Sequence, residues 1–281
     1  MILLKKATDL HNWLESQGKK RNKIGFVPTM GALHPGHISL VEYSRKENEI
    51  TVASIFINPT QFNDPKDFKK YPITIEKDID MLEKAGCEVL FLPAVEEIYP
   101  DGIAPKKHYD LGFLEIVLEG KYRPGHFQGV CMVVERLLDI VKPLNLYLGQ
   151  KDYQQCMVIA RLVELMGQKI KTNICPTLRE ADGLAMSSRN MRLTAEERKS
   201  AVAIYNCLAR IKENLRAGNT DSLLQKAQLL LEEKGFKVDY VEIADANNLS
   251  RISHWDGRQK TVALVAAFLN EVRLIDNMLL N

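Results

Sequence analysis

Short runs of consecutive apolar, often β-branched residues alternate along the chain with stretches where apolar positions recur every three or four residues. The runs at 23–28 (KIGFVP), 50–57 (ITVASIFI), 88–92 and 145–148 predict buried strands, and 170–175 predicts a further extended segment. Between them, helical spacing predicts helices over 37–46, 73–85, 126–141 and 152–166. Strands alternating with helices imply a parallel sheet covered on both faces, with ligands bound beyond the carboxyl ends of its strands.

After about Pro176 the pattern changes. Thr194 opens TAEE, a capping box with Glu197, and predicts one long helix toward Arg216. Ala217, Gly218 and Asn219 end it. A second helix begins at Asp221 or Ser222 and runs toward Lys234, where Gly235 supplies a stop. Strand-like runs at 238–243, 261–269 and 272–279 follow. The expected fold is therefore α/β: a Rossmann-like, doubly wound parallel sheet over residues 1–176, and a smaller C-terminal α+β domain over 177–281.

Composition narrows the partners. A hydrophobic content of 46% in 281 residues supports a sizeable core, and 38 Lys+Arg against 36 Asp+Glu leave a formal net charge of +2. Such a balance gives no general pull toward nucleic acid or an anionic membrane. The five cysteines are scattered without a CxxC pair, which argues against a disulfide framework or zinc finger. The N-terminal apolar run is too short for a signal peptide, and no stretch reaches the roughly 20 apolar residues of a membrane helix. A cytoplasmic protein with neither nucleic-acid nor membrane partners is expected.

Four segments carry candidate chemistry, each where a strand should end or a loop should present ligands. The first, PTMGALHPGH (28–37), runs from a strand end through a glycine-rich turn into a helix start. Unpaired N–H groups there suit a phosphate, and His34 and His37, three residues apart, can donate to one anion. Gly31 and Gly36 bracket four residues as in a P-loop, but His37-Ile38 stands where Lys-Ser/Thr belongs, which excludes that motif. An HxxH pair without a companion ligand is also short of a metal site. The second segment, AMSSRN (185–190), offers two hydroxyls, a cation and an amide suited to a polyphosphate. The third, LGQKD (148–152), places Lys151 just past a strand, and the fourth, FINPTQF (56–62), places the neutral amides of Asn58 and Gln61 there. Each taken alone is also what an ordinary turn or solvated surface would look like; together they point to one nucleotide-using site.

With PTMGALHPGH, FINPTQF, RPGHFQGV, LGQKDYQQ and READGLAMSSRN in that order over nearly the whole chain, the sequence resembles the pantoate–β-alanine ligases, a family of the HxGH nucleotidyl-transfer superfamily. The resemblance implies an enzyme that condenses pantoate with β-alanine through a pantoyl adenylate, consuming ATP with Mg2+ and releasing AMP and pyrophosphate, and it implies a homodimer. It assigns ATP binding to Met30, Gly31, Ala32, Leu33, His34, Pro35, Gly36, His37, Gly149, Gln150, Lys151, Asp152, Leu178, Met186, Ser187, Ser188 and Arg189. Among these it makes His34, His37, Lys151 and Arg189 catalytic. Pantoate falls to Gln61 and Gln155 with Asn58 and Pro28, β-alanine to Gln61, and the magnesium-proximal acid to Asp78. The family often has Glu at position 150 and Val at 178, where this chain has Gln and Leu. Competing readings are an HxGH adenylyltransferase for another acceptor, an aminoacyl-tRNA synthetase fragment, and a non-catalytic nucleotide-binding module.

Overall fold

In a computed structural model describing residues 1–281, the apolar runs become strands and the helically spaced stretches become helices. The elements of the first part are β1 (Ile2–Leu4), α1 (Ala7–Ser16), β2 (Ile24–Thr29), α2 (Pro35–Glu47), β3 (Ile50–Ile55), α3 (Pro65–Lys69) and α4 (Ile75–Lys84). There follow β4 (Val89–Phe91), α5 (Val95–Ile98), α6 (Leu118–Tyr122), α7 (His126–Val141), β5 (Asn145–Gly149), α8 (Tyr153–Leu165) and β6 (Lys171–Cys175). The pair β1 and α1 was not foreseen: three half-exposed edge residues leave little periodic signal.

The six strands form one sheet in the order β1-β4-β3-β2-β5-β6, with every adjacent pair parallel. Because strand side chains alternate between faces, neighbouring apolar residues enter different cores. Phe26, Val52, Phe91 and Leu146 pack on one face with Leu10 and Leu14 of α1, Leu138 of α7 and Leu162 of α8. Val27, Ala53, Leu90 and Tyr147 pack on the other with Leu40 and Val41 of α2 and Leu82 of α4. Two-sided burial is why the central strands read as continuous apolar runs.

Strand order reverses between β2 and β5, since β3 and β4 lie on one side of β2 and β5 and β6 on the other. Those two strands pair only at Gly25↔Asn145 and Phe26↔Leu146, although β2 runs on to Thr29 and β5 to Gly149. Pro28, which has no N–H to give, lies in the stretch of β2 that keeps only β3 as ladder partner. The loops leaving β2 and β5 therefore start at the topological switch point, where open α/β sheets bind ligands.

The chain divides into two compact units, Met1–Gly149 with Gln155–Pro176, and Gln150–Gln154 with Thr177–Asn281. Residues 150–154, expected with the first domain, group with the second unit. That unit continues through α9 (Ala195–Ala201), α10 (Ala203–Asn214), β7 (Gly218–Asn219), α11 (Asp221–Glu233), β8 (Phe236–Asp245), β9 (His254–Trp255), β10 (Thr261–Leu269) and β11 (Val272–Leu279). Antiparallel strands in the order β11-β10-β8 carry Ile243, Val265 and Leu274 into a core with Leu208 and Ile211 of α10 and Leu231 of α11. The capping box at Thr194 and Glu197 forms in both directions, at 2.8 and 3.2 Å. The single long helix expected beyond it is instead α9 and α10, interrupted at Val202, which keeps helical dihedrals of φ −60° and ψ −22°. No helix is long and apolar enough to cross a membrane.

Candidate active site

In the first unit, β2 ends in a turn that needs unusual backbone: Gly31 has φ +81° and Ala32 φ +50°. Left-handed geometry at a residue with a Cβ costs about 1–2 kcal/mol, so something must hold the turn. Asp78 of α4 does. Its Oδ2 accepts the N–H of Ala32 at 2.9 Å, and its Oδ1 accepts the N–H of Leu33 at 2.8 Å and the hydroxyl of Thr74 at 2.9 Å. A Cβ on Gly31 would lie 3.1 Å from the same carboxylate. Asp78, the acid that the resemblance assigns to the magnesium side, is fully buried, and both its oxygens are bonded to the turn and Thr74. No group of three His, Cys, Asp or Glu residues gathers as a metal cage.

The turn delivers the two histidines to the head of α2. His34 is its N-cap residue, in extended conformation, and Pro35 follows at the first helical position, where its missing N–H costs nothing. His37 lies one turn on, its ring centroid 4.0 Å from that of His34. The main-chain N–H of His34 donates to Nδ1 of His37 at 3.4 Å. An imidazole accepting at Nδ1 carries its neutral-form proton on Nε2, which makes Nε2–H a donor.

Beyond β3, Gln61 is held from several sides. Its Nε2 donates to Sδ of Met30 at 3.0 Å, and its Oε1 accepts from Nδ2 of Asn58 at 3.1 Å. Asn58 itself is 1% exposed. Its Nδ2 also reaches the Gly129 carbonyl at 3.1 Å, and its Oδ1 accepts from the hydroxyls of Tyr99 at 2.7 Å and Thr60 at 3.0 Å. The Asn58 amide, assigned to pantoate by the resemblance, is bonded inside the protein and orients Gln61. Burial pushes the Tyr99 phenol up to about 12, so it stays a donor to Asn58 at neutral pH. Arg123 and His126 serve the same segment. Nδ1 of His126 lies 2.7 Å from the carbonyl oxygen of Gln61, and its Nε2 lies 3.1 Å from the Arg123 guanidinium. Arginine can only donate, so Nε2 accepts and Nδ1–H donates to Gln61. Gly129 permits the close approach of α7, since a Cβ there would stand 2.2 Å from the Thr60 carbonyl oxygen. A glycine in mid-helix was the sequence signal for that contact. Gln155 and Pro28 are half-buried.

In the second unit, Gln150–Asp152 form a 3-10 turn and Lys151 keeps a side chain 16% exposed. Residues 178–186 make a hairpin, with Met186 donating to the Leu178 carbonyl at 3.0 Å and a bridge between Arg179 and Ala185. Its turn is braced by Asp182, which takes two hydrogen bonds from Arg198 at 2.8 and 3.1 Å. Gly183, with φ +94°, lies where a Cβ would stand 2.2 Å from the Tyr205 ring. The hairpin leads into Ser187, whose hydroxyl accepts the N–H of Arg189 at 3.3 Å and caps the 3-10 helix Ser188–Arg192. Leu178 is 40% exposed.

Three residues of this unit went unread in the sequence: Arg179, Asp276 and Asn277. Arg179 grips Asp276 through two bonds of 2.7 and 3.0 Å, and Asn277 donates to the carbonyls of Gln150 and Lys151 at 2.9 Å each. Burial pushes the Asp276 carboxyl up, while the charges of Arg179 and Lys151 pull it down. Two adjacent polar residues inside an apolar strand run were the signal that could have found them.

Known proteins resemble this chain over nearly its whole length. Residues 2–279 match the family of pantoate-β-alanine ligases. The chain is 43% identical over 283 residues to the pantothenate synthetase of Cytophaga hutchinsonii, covering 100% of this chain and 99% of that one. It is 43% identical over 280 residues to the Porphyromonas gingivalis enzyme of the same name, covering 99% of each. Among solved structures, pantothenate synthetase from Thermus thermophilus superposes with a TM-score of 0.90 at 40% identity, covering 99% of both chains. Pantoate-β-alanine ligase from Francisella tularensis, complexed with β-γ ATP and β-alanine, gives 0.81 at 40% identity, covering 99% of this chain and 97% of that one. From its motifs, its sheet and these relatives, the chain belongs to the pantoate–β-alanine ligase family.

Proposed function

We propose that the protein joins pantoate to β-alanine at the expense of ATP. The pantoate carboxylate attacks the α-phosphorus, forming pantoyl adenylate and releasing pyrophosphate. The free amine of β-alanine then attacks the acyl carbon, forming the amide and releasing AMP and a proton. The observation that carries this reading is the Asp78-braced turn at the sheet's switch point, which delivers the glycine-rich backbone and both imidazoles to a helix N-terminus.

In this proposal ATP is bound by the 30–37 turn, by Gly149–Asp152, by Leu178 and by Met186–Arg189. His34, His37, Lys151 and Arg189 stabilise charge spreading over the phosphoryl oxygens, by preorganised electrostatics rather than covalent chemistry. Gln61 and Gln155, beside Pro28, hold pantoate, and Gln61 later helps to place β-alanine; Asn58 acts through Gln61. Magnesium would accompany the ATP phosphates and neutralise phosphate charge. The assembly is a cytoplasmic homodimer, which light scattering of the purified chain tests.

The deciding experiment is exchange of labelled pyrophosphate into ATP with β-alanine omitted. Exchange that depends on pantoate, followed by AMP and pantothenate on adding β-alanine, is expected. Exchange that ignores pantoate, or a stable adenylated product, would assign the site to another acceptor.

A further inference from the structure

Along β11 the apolar run is broken by Asp276 and Asn277, and both are buried, at 5% and 2% exposed. Neither side chain is needed for the ladder, because β11 pairs with β10 through its main chain at Val265↔Asp276 and Leu264↔Asn277. A buried amide costs free energy unless its hydrogen bonds are made, so its presence marks a place where they are used. Asn277 makes them all on one short segment. Its two amide protons go to the consecutive carbonyl oxygens of Gln150 and Lys151, and its Oδ1 accepts from Nε2 of Gln150 at 3.2 Å. The strand residue is itself locked: its N–H donates to Asp276 at 2.8 Å, and its carbonyl accepts from Arg179 at 3.1 Å. One hydrogen-bonded path thus runs from Arg179, at the start of the hairpin that leads to Met186–Arg189, through Asp276 and Asn277 to the backbone of Lys151.

We propose that Asn277 is a positioning residue for adenylate formation, setting where the Lys151 ammonium stands by clamping the carbonyls of the two peptide bonds that flank the Lys151 Cα. The inference rests on the role proposed above for Lys151. Misplacing a reacting group by about 1 Å can cost on the order of 100-fold in rate, which is the scale expected when the clamp is lost.

Asn277→Ala, Asn277→Asp, Lys151→Ala and the Lys151→Ala/Asn277→Ala pair are compared by pantoate-dependent pyrophosphate exchange, with rates expressed per folded molecule. Asp keeps the volume of Asn but cannot donate to two carbonyls, so it tests the clamp if the Ala variant folds poorly. Both single variants at 277 should lower the exchange kcat by roughly 10- to 100-fold with KM for pantoate unchanged, the signature of an interaction made in the transition state. In the Lys151→Ala background, loss of Asn277 should cost nothing further. A merely structural asparagine would lower the melting temperature and leave kcat per folded molecule intact. That outcome, or a full additive loss in the double variant, overturns the inference. If Lys151→Ala exchanges as well as the native enzyme, the role of Lys151 falls and the inference with it. If Lys151→Ala is impaired and Asn277→Ala is not, only the inference falls.

Discussion

Replacing Asp78 separates two jobs a carboxylate beside an ATP-binding turn could have. If it anchors the turn, the loss should appear in stability. If it served a metal, the loss should appear in the magnesium requirement. The bonds set the magnitude. In Asp78→Asn the remaining oxygen can keep Oδ1's two donors, Leu33 N–H and the Thr74 hydroxyl, and the new NH2 then faces the N–H of Ala32. One hydrogen bond to a charged acceptor is lost, which costs about 1.5–3 kcal/mol. Asp78→Ala takes the acceptor from two N–H groups on residues 1% and 4% exposed, and should cost roughly 3–6 kcal/mol. Against a total stability of about 5–15 kcal/mol, the second variant is close to the limit of folding. Urea unfolding at neutral pH measures both, with an unchanged m-value showing that the native and unfolded states are still comparable. The exchange assay across a magnesium titration is the second readout, and its maximal rate should fall because the strained turn relaxes around His34. An Asp78→Asn protein as stable as the native one, yet demanding more magnesium for the same rate, would refute the anchoring account.

Three further outcomes are expected. Gly129→Ala should destabilise by about 2–3 kcal/mol, since its Cβ would stand 2.2 Å from the Thr60 carbonyl oxygen, and should raise KM for pantoate by shifting Gln61; a gain in melting temperature, as for an exposed helical glycine, would contradict the close approach. His34→Ala and His37→Ala should each slow adenylation by on the order of 100-fold without loss of fold, and a defect confined to the β-alanine step would show the histidines misassigned. The hydrogen bond from Arg198 holds the Asp182 carboxyl below the usual carboxylate range. A lowered folded-state pKa means stability that is present above the unfolded value of about 4 and lost as pH falls through the folded one. For this largely exposed pair the difference between native protein and Asp182→Asn should be at most about 1 kcal/mol near neutrality and vanish in acid; a difference that persists in acid after both the folded and the unfolded carboxyl are protonated would rule the pair out as its source.

Much of the architecture was legible before any coordinates, because it is written locally. The helix His126–Val141 and the strands Thr261–Leu269 and Val272–Leu279 have the bounds their periodicity predicts, and the Thr194–Glu197 box closes as its spacing requires. Periodicity, caps and turn residues act over a few positions, so sequence alone determined the parallel sheet, the change of character near Pro176 and the placement of the 28–37, 56–62 and 148–152 segments at strand ends. The tertiary structure decided what depends on distant partners. Asp78 meets Ala32 across 46 positions and Asn277 meets Gln150 across 127, and no local pattern couples them. It therefore fell to the fold to give Asp78 the backbone of the 32–33 turn to hold, Asn58 the amide of Gln61 to orient, and residues 150–154 a place in the second unit. A buried polar group must find its hydrogen bonds wherever the chain brings them, and that meeting is a property of the packed chain rather than of any one stretch of it.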